Sequence, residues 1–436
     1  MNRGKIQIGA VILFTLAGHG MNANADGLPD GVQIHGFASQ AVINTNHNNF
    51  FGNTENKASF DFTELGANIS WRLNPSLQLS AQAISRRAGE TDNGSPRLDF
   101  ATVDYTFHAS ENARYGIYLG KIKNPYGLYN ETRDVASTRP SILLPQSIYL
   151  DRIRNFVLSS PGVAIYGDNT LPIGNISYQF SVIKPDASDR ETEGTFLGTD
   201  RPGKIKADSS YIGRILLEPN NGHFKLALTG VHMRAHYQPG ISDALKGGNI
   251  RFDTWVLSGQ YNAENWVLTS EYAQNRIDAH SFGTFFLNRT ATGSSYYIQG
   301  AYHLTPKWSV LARYDVTYRD NNDKDGRIVN ALTRAPSFSR FAKDMTIGLS
   351  YAPSNNWLLR GEFHHVNGTA WLPYSDNINP STTTQYWNMW LFQAAYRFYT
   401  YAQSTPKTQT FFQSKVENHC ATQHGAAHRE CLAVIH

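Results

Sequence analysis

The sequence predicts an all-β fold: a 16-stranded antiparallel transmembrane β-barrel whose long third extracellular loop folds into the lumen. Three observations favour it. Beyond residue 31, segments of about ten residues alternate apolar and polar side chains. Short connections alternate with long ones along the chain. After the first 25 residues there is no run of 18 apolar residues, so a membrane would be crossed by strands.

The N-terminus has the pattern of a secretory signal peptide. Arg3 and Lys5 precede an apolar stretch of about 12 residues, which is too short to span a membrane as a helix. Ala23-Asn24-Ala25 fits a small-x-small cleavage site. We therefore predict a signal peptide over 1–25, a transmembrane β-barrel over 26–398 and a C-terminal tail over 399–436.

The composition agrees with a barrel. The chain has 35 Gly, 23 Tyr, 23 Phe and 8 Trp but a mean hydropathy of only −0.41, as expected for a polar lumen inside a lipid-facing exterior. The net charge is +4, or +2 once Arg3 and Lys5 leave, which gives no reason to expect nucleic-acid binding. The two cysteines, Cys420 and Cys431, lie in the tail, so the body is not a disulfide scaffold.

Sixteen segments carry the strand pattern. They are 32–42, 60–73, 77–86, 98–108, 113–121, 162–166, 174–183, 209–217, 224–237, 250–261, 266–277, 294–304, 308–319, 341–351, 357–369 and 386–398. In 308–319, Tyr314 and Val316 share one face, whereas Arg313, Asp315 and Arg319 share the other.

Loop lengths and aromatic positions argue against the alternative, a soluble β-sandwich. Seven short turns alternate with eight long loops, and a sandwich has no reason to sort its connections in this way. An even strand number returns both termini to the short-turn, periplasmic side. Aromatic side chains cluster near the short turns, where a membrane–water boundary favours them. They are Trp71, Phe107, Phe224, Tyr261, Trp266, Trp308, Tyr351 and Trp357.

The longest connection, 122–161, lacks a strand or helix period. It is not compositionally disordered, because Ile142, Leu144, Phe156 and other apolar residues must pack against something. A loop of this length in a compact domain is usually functional. We therefore expect it to narrow the barrel.

Charged residues at this constriction are the first-rank candidates for the pore. They are six basic residues, Lys121, Lys123, Arg133, Arg139, Arg152 and Arg154, and three acidic ones, Glu131, Asp134 and Asp151, a local excess of +3. One interpretation is a mild anion preference, because charges at a narrow point sort ions. The other is that the pairs Arg133–Asp134 and Asp151–Arg152 merely pin the loop to the wall.

Charged residues on the polar faces of strands are second-rank lumen candidates. They are Arg313, Arg319, Arg360 and Glu362. A charge facing lipid near the midplane would cost about 2–4 kcal/mol, so these side chains are expected to point inward.

Other constellations give no catalytic residue, metal site or cofactor. Cys420, His424, His428 and Cys431 would spread over about 16 Å of a helix, too far for one tetrahedral zinc; a Cys420–Cys431 disulfide or a tail without a role are the alternatives. His364-His365 with Glu362 is the nearest approach to an enzyme site, and a polar rim histidine is the competing interpretation. There is no nucleophile elbow or phosphate loop.

Two regions resemble a known family. The segments 34–40 and 60–66 resemble the first hairpin of Gram-negative porins. The central stretch resembles the strand-to-constriction segment of the phosphate-selective porin O/P-like group, and it reads Gly120-Lys121-Ile122-Lys123-Asn124-Pro125-Tyr126-Gly127-Leu128-Tyr129-Asn130-Glu131. The near-neutral charge and the tail depart from the phosphate-selective pattern.

The resemblance implies a trimeric, water-filled channel in the Gram-negative outer membrane, surrounded by lipid and lipopolysaccharide. Small hydrophilic solutes or inorganic anions would pass by passive diffusion. The alternatives are a channel for a specific small organic or hydrophobic substrate, like the fatty-acid channels, or a barrel enzyme.

Overall fold

The computed structural model describes residues 28–198, 201–220, 222–283 and 288–401. Its strands are β1 Val32–Thr45, β2 Ser59–Asn74, β3 Leu77–Ala88, β4 Asp92–Asn93, β5 Arg97–Ala109, β6 Ala113–Lys123, β7 Ser159–Leu171, β8 Gly174–Ile183, β9 Lys204–Ala207, β10 Ser210–Pro219, β11 Phe224–Gln238, β12 Gly248–Asn262, β13 Trp266–His280, β14 Arg289–His303, β15 Trp308–Tyr318, β16 Phe341–Tyr351, β17 Trp357–Gly368 and β18 Tyr386–Tyr401. The predicted signal peptide and the tail with Cys420, His424, His428 and Cys431 lie outside the described residues.

Sixteen of these strands close into one antiparallel barrel, which confirms the predicted 16-stranded antiparallel architecture. Each pairs with its neighbour in the chain, and β18 returns to β1 with Gln33 opposite Tyr401 and Thr45 opposite Met389. The two short strands are not among the sixteen: β4 pairs with β3, and β9 pairs with the end of β11. The sheet therefore has no open edge among the sixteen, as a transmembrane barrel requires.

The predicted sorting of the connections is also confirmed. Seven connections have two to five residues and eight have eight to 35, in strict alternation. We call the two rims the short-turn end and the long-loop end. One boundary differs clearly, because β7 spans Ser159–Leu171 and not 162–166. Polar residues such as Asp168 and Asn169 continue its ladder against β6, and apolar alternation does not detect them.

Side chains alternate between the two faces of the barrel wall. On β11, Leu226 and Leu228 are exposed, whereas Ala227 and Thr229, which alternate with them, are buried. The buried set includes many polar residues, such as Glu271, which is the reverse of a soluble core. The exterior is thus apolar and the interior polar, as in transmembrane barrels.

Aromatic rings gather at the short-turn end, as the sequence predicts. Trp308 stacks on Tyr351 with ring centroids 4.3 Å apart, and Trp357 packs near Tyr396 at 5.0 Å. Phe107 is 59% exposed, so its ring faces the surroundings of the barrel. In the described part of the chain no helix is long and apolar enough to cross a membrane.

The long connections contain structure that periodicity does not reveal. The helices are Arg154–Leu158, Arg190–Leu197 and Arg327–Thr333, and the short 3₁₀ turns are Ala136–Thr138, Asp151–Ile153, Ser337–Arg340 and Pro380–Thr382. The helix Arg190–Leu197 has a readable start and stop. The Asp189 side chain accepts a hydrogen bond from Thr192 N at 3.0 Å, and Gly198 ends the helix at φ 77°.

Candidate functional site

The segment 124–158, which joins β6 to β7, is the centre of the candidate site. We call it the constriction segment. Its apolar side chains are almost entirely buried in two clusters. Tyr149 and Phe156 pack with residues such as Met233, whereas Ile142 and Leu143 pack in the cluster that contains Trp371. The segment therefore has a fixed path, as its composition predicts.

Backbone nitrogens of the constriction segment donate to side chains from strands that lie far apart around the barrel. The acceptors are Thr229 on β11, Glu271 on β13, Asp315 on β15 and Glu362 on β17, which bind the nitrogens of Gly127, Leu128, Ser147 and Ile142 at 3.3, 3.1, 3.3 and 2.5 Å. Since a loop has no ladder partners of its own, these side chains replace them.

Two predicted lumen residues hold the middle of the segment by its carbonyl groups. Arg360 donates from Nη1 to Ala136 O at 2.8 Å and from Nη2 to Arg139 O at 2.5 Å. Arg313 donates to Leu143 O at 3.0 Å and to Ser141 Oγ at 2.9 Å. Both guanidinium groups therefore donate hydrogen bonds to the segment.

Glu64 on β2 is the hub of a dense set of ion pairs. Its carboxylate lies 2.7 Å from Arg139 Nη2, 3.6 Å from Arg86 Nε and 3.9 Å from Arg154 Nη2. Glu64 is only 3% exposed, and the three arginines are as deeply buried. A buried carboxylate with three cationic neighbours is strongly held, because each charge compensates the burial of the others.

Two carboxylates of the constriction segment complete this set. Asp134 accepts from both Lys123 and Arg154, and Lys123 also lies 2.6 Å from Asp99 on β5. Asp151 lies 3.1 Å from Arg86 and 3.3 Å from Arg133. We call the whole group the acid–base cluster: Arg86, Lys123, Arg133, Arg139 and Arg154 with Glu64, Asp92, Asp99, Asp134 and Asp151.

The acid–base cluster changes the charge expected at the constriction. The wall contributes the carboxylates of Glu64, Asp92 and Asp99, which offset part of the local excess of +3 read along the chain; it also contributes Arg86 and, 2.6 Å from Asp92, Arg97. The expected neighbour pairs, Arg133–Asp134 and Asp151–Arg152, do not form among the described ion pairs. Successive side chains diverge, so each charge finds its partner elsewhere: Arg133 pairs with Asp151, and Asp134 with Lys123 and Arg154.

The two segment carboxylates are held in the ionised form. Burial alone would raise the pKa of Asp134, but Lys123 and Arg154 outweigh burial and hold it far below its usual value. Burial of Asp151 is likewise outweighed by Arg86, Arg133 and Arg154, which lower the pKa of this carboxyl group. Because both carboxylates are ionised and paired with buried cations, they fix the segment to the barrel wall.

The other predicted constriction residues lie apart from the cluster. Lys121 stands two residues after the exposed Leu119 on β6, and its Nζ donates to Leu98 O at 2.7 Å. Glu131 pairs with Arg214 on β10. Arg152 lies 3.8 Å from Glu191 and donates to Ala370 O at 3.5 Å, a carbonyl that also accepts from Arg319 at 2.6 Å.

Several residues of the site do not appear among the predicted pore residues. Arg86, Asp99, Arg214 and Glu271 all contact the constriction segment or its ion pairs. The single carboxylate of Glu271 accepts hydrogen bonds from Ser258, Tyr149 and Tyr297 at 2.6, 2.7 and 2.8 Å. Strand alternation applied to every charged residue, and not only to the clearest strands, would have placed these side chains inward.

His364 is not at an exposed rim, contrary to the prediction for the pair His364-His365. It is 1% exposed, and its Nδ1 lies 2.8 Å from Asp344 while its Nε2 lies 3.5 Å from Glu362. His365, on the opposite face, bonds Asn388 at 2.8 Å. Alternation explains the difference, because consecutive strand residues face opposite sides. Over the described ranges, no group of three or more His, Cys, Asp or Glu side chains could hold a metal ion.

The fold of this chain matches the folds of solved outer-membrane proteins. The outer-membrane channel DcaP of Acinetobacter baumannii matches with a TM-score of 0.56 at 13% identity, over 84% of this chain and 97% of that one. The chain has the porin fold. An anion-selective porin from Comamonas acidovorans matches the porin fold of this chain with a TM-score of 0.53 at 13% identity, over 85% and 99% of the two chains.

The outer-membrane protein OmpT of Vibrio cholerae extends the comparison, with a TM-score of 0.51 at 10% identity over 85% of this chain and 99% of that one. No protein-family model and no curated protein matches the sequence. At these identities the shared feature is the Gram-negative outer-membrane porin fold. What the porin fold does in this chain must be argued from its own residues.

Proposed function

We propose that this protein is an outer-membrane porin whose constriction segment lies in the lumen and narrows a water-filled channel. The observation that carries the proposal is the binding of one loop, through polar contacts, to β2, β11, β13, β15 and β17 of a closed barrel. A loop that reaches wall strands all round a cylinder through their inward side chains crosses its interior. Small hydrophilic solutes would diffuse passively through the space it leaves.

The channel is proposed to sit in the outer membrane of a Gram-negative cell, in contact with lipid and lipopolysaccharide. The exposed apolar side chains on the wall, for example Ile165, Leu228 and Phe392, support this. A homotrimer is proposed on the resemblance to porins. One of the matching solved structures, OmpT of Vibrio cholerae, is described as a trimer form at 9% identity.

We further propose a mild anion preference. The basic residues of the acid–base cluster are engaged by its carboxylates, so we assign the preference to basic residues outside it, such as Arg152 and Arg319. Arg319 donates to a backbone carbonyl, and of the described carboxylates none lies within 4.0 Å of it. A positive excess near a narrow path raises the local concentration of anions.

Planar-bilayer recording tests the channel proposal. Purified protein is expected to add discrete conductance steps whose current is proportional to voltage, and the reversal potential in a salt gradient should have the sign of anion preference. Absence of conductance steps, together with hydrolytic activity in solution, would favour the barrel-enzyme alternative. A reversal potential with the sign of cation selectivity would be consistent with a channel but would contradict the anion preference.

Saturation of the uptake rate with solute concentration distinguishes a channel for a specific organic or hydrophobic substrate from a general channel. A general pore passes uncharged sugars of increasing size at rates that fall with size alone, which liposome swelling measures. Strong uptake of one solute class at low concentration, without size dependence, would contradict the general pore.

A further inference from the structure

A groove of about 760 Å³ interrupts the outer face of the barrel between β7 and β13. Exposed apolar side chains border it, and they are Val163, Ile165, Phe180, Val182, Tyr211 and Trp255. Its floor contains Gly213 and Gly230, which face each other across the β10–β11 pair. We call this depression the wall groove.

Gly230 leaves open space on the outer face of the wall. A Cβ at this position would meet no heavy atom within 4 Å other than those of its chain neighbours, whereas a Cβ at Gly213 would lie 2.5 Å from the Phe180 ring. Across the strands the row runs from Phe180 over Gly213 and Gly230 to Trp255. A hydrocarbon chain lying over Gly230 would therefore gain packing contacts with rings on both sides.

Polar side chains follow directly on the long-loop side of the groove. His232, two residues after Gly230 on β11, stands between Tyr211 on β10 and Asp253 on β12. Its Nδ1 lies 2.5 Å from Asp253 Oδ1, and Asp253 in turn stands opposite Arg276 on β13. The wall groove thus passes from an apolar floor to a polar end.

The next row towards the long loops is rich in arginine. Arg234 and Arg251 stand opposite each other across β11 and β12, and both are exposed. Arg251 pairs with Asp278 and lies 3.1 Å from Asp253. Arg276 lies 3.2 Å from Asp278. Both aspartates of this surface are therefore occupied by Arg251 and Arg276.

Two cations of the same surface have no such partner. Arg234 and the exposed Lys206 on β9 have no carboxylate within 4.0 Å in the part of the chain that the structure describes. Asp208, beside Arg234, pairs with His236 at 3.0 Å. Leaving aside the pair of Lys204 with Glu193, four Lys and Arg residues face three aspartates, which leaves one positive charge in excess. This surface is therefore suited to a group that carries negative charge.

The height of Arg234 on the wall agrees with a membrane boundary. It lies ten residues after Phe224, whose ring belongs to the aromatic group at the short-turn end. Ten residues at about 3.3 Å each, inclined by about 40°, rise about 25 Å, which is the height of the apolar band of a transmembrane barrel. Arg234 therefore stands at the level of lipid headgroups on the long-loop side.

We propose that the wall groove binds one acyl chain of a lipid whose phosphate-bearing headgroup contacts Arg234 and Lys206. The chain lies over Gly230 between the rings of Phe180 and Trp255, and the phosphate accepts charge-assisted hydrogen bonds from the two unpaired cations. The site rests on the proposed outer-membrane location, but lipid binding does not require conductance.

Native mass spectrometry of the detergent-solubilised full chain tests the site, with dioleoyl phosphatidic acid and dioleoylglycerol as probes. These lipids have the same chains and differ in the phosphate. We expect the wild type to retain one phosphatidic acid per chain in preference to dioleoylglycerol. Gly230→Trp places a ring in the groove and should lower retention of phosphatidic acid about tenfold. Arg234→Gln should lower it about fivefold and leave dioleoylglycerol unchanged.

Gly300→Trp and Lys343→Gln are the matched controls. Gly300 lies on β14 outside the groove, and a Cβ there would have only an ordinary contact of 3.7 Å with Leu268. Lys343 is a cation near the long-loop end of β16, 5.9 Å from the centre of the Tyr318 ring. Both variants should retain phosphatidic acid like the wild type. Heat-modified electrophoretic mobility shows that each variant is folded before its lipid retention is compared.

Preferential retention of phosphatidic acid by the wild type, and its loss in Gly230→Trp and Arg234→Gln, support the proposal. Equal retention of the two lipids by the wild type overturns it, as does equal retention of phosphatidic acid by each variant and its control. Loss of oligomer mass in Gly230→Trp with unchanged lipid retention also overturns it, because the groove would then contact a second copy of the chain.

Bilayer conductance separates this proposal from the channel. A conducting wild type that does not distinguish the two lipids refutes only the lipid site. A wild type that prefers phosphatidic acid but does not conduct refutes only the channel.

Discussion

At the scale of single residues, the acid–base cluster explains how a loop with no regular structure takes one path. Glu64 contacts Arg86, Arg139 and Arg154, so one carboxylate joins β2 and β3 to both halves of the constriction segment. Such a set of buried charges is stable only when complete, because removing one member leaves the others desolvated and uncompensated. The cluster therefore fixes the position of the segment more than it adds to the free energy of folding.

Glu64→Gln should strongly destabilise the protein. The change leaves three buried arginines without their shared counter-charge, and breaking a buried pair in this way costs about 3–5 kcal/mol. Denaturant unfolding of the reconstituted protein measures the loss.

Glu218→Gln provides the comparison for Glu64→Gln. Glu218 pairs with Lys225 at 3.1 Å beside a short turn, where both side chains are partly exposed. A partly exposed pair contributes about 0–1 kcal/mol. Equal unfolding free energies for the two variants would show that the cluster does not hold the segment.

At the scale of elements, the long connections bind one another as well as the segment. The connection after β17 carries Asp376, whose carboxylate accepts from Phe51 N, Gly52 N and Glu90 N at 3.0, 3.2 and 3.1 Å. Three connections therefore meet at one side chain. Gly89 is required there, because a Cβ at this position would lie 2.3 Å from Gly52 N. Glu191 likewise accepts from Tyr374 N at 2.8 Å and links the capped helix Arg190–Leu197 to this group.

This junction should loosen as the pH rises. Burial raises the pKa of Asp376 to about 7, against the effect of its three N–H donors. The joined loops thus bind a proton more tightly than separated loops, in which the carboxyl group has its ordinary pKa near 4. The joined state therefore loses stability between about pH 4 and about pH 7 and is constant above that range.

Hydrogen exchange of the Phe51, Gly52 and Glu90 amides, corrected for intrinsic rates, checks this pH dependence. Protection should fall between about pH 4 and about pH 7, and Asp376→Asn, which does not titrate, should abolish the change. Protection that rises with pH in the wild type would contradict the expected sign.

At the scale of the whole molecule, the closed sheet separates two environments. Apolar side chains on the outside and polar ones on the inside mean that a single substitution has opposite consequences on the two faces. This separation is what a transmembrane barrel requires, because lipid surrounds its outer face.

Ile347→Arg tests the outer face. Ile347 lies in the middle of β16 and is 62% exposed, so a charge there would face the lipid midplane and cost about 2–4 kcal/mol. Ile241→Arg is the control, because Ile241 is 96% exposed in the connection between β11 and β12. Refolding into vesicles should be impaired only by Ile347→Arg. Equal refolding of the two variants would mean that this face does not contact lipid.

Residue order alone was enough to predict the barrel, its sixteen strands and the alternation of loop lengths. Period-two patterning and turn composition are local properties, and strands such as β15 show them without reference to the rest of the chain. It was also enough to single out the segment between β6 and β7 and its charged residues. The helix Arg190–Leu197 was missed, although Asp189 and Gly198 mark its ends locally.

Only the tertiary structure decided which charges meet. Glu64 and Arg139 are 75 residues apart, and Arg152 and Ala370 are 218 apart, so their contact follows from strand register and barrel closure. The charge count along 121–161 therefore overstated the positive excess at the constriction, because carboxylates arrive there from β2, β4 and β5. The partners within the acid–base cluster could not be predicted for the same reason: they lie on separate elements, and a Coulomb interaction depends on distance in space and not on position in the chain.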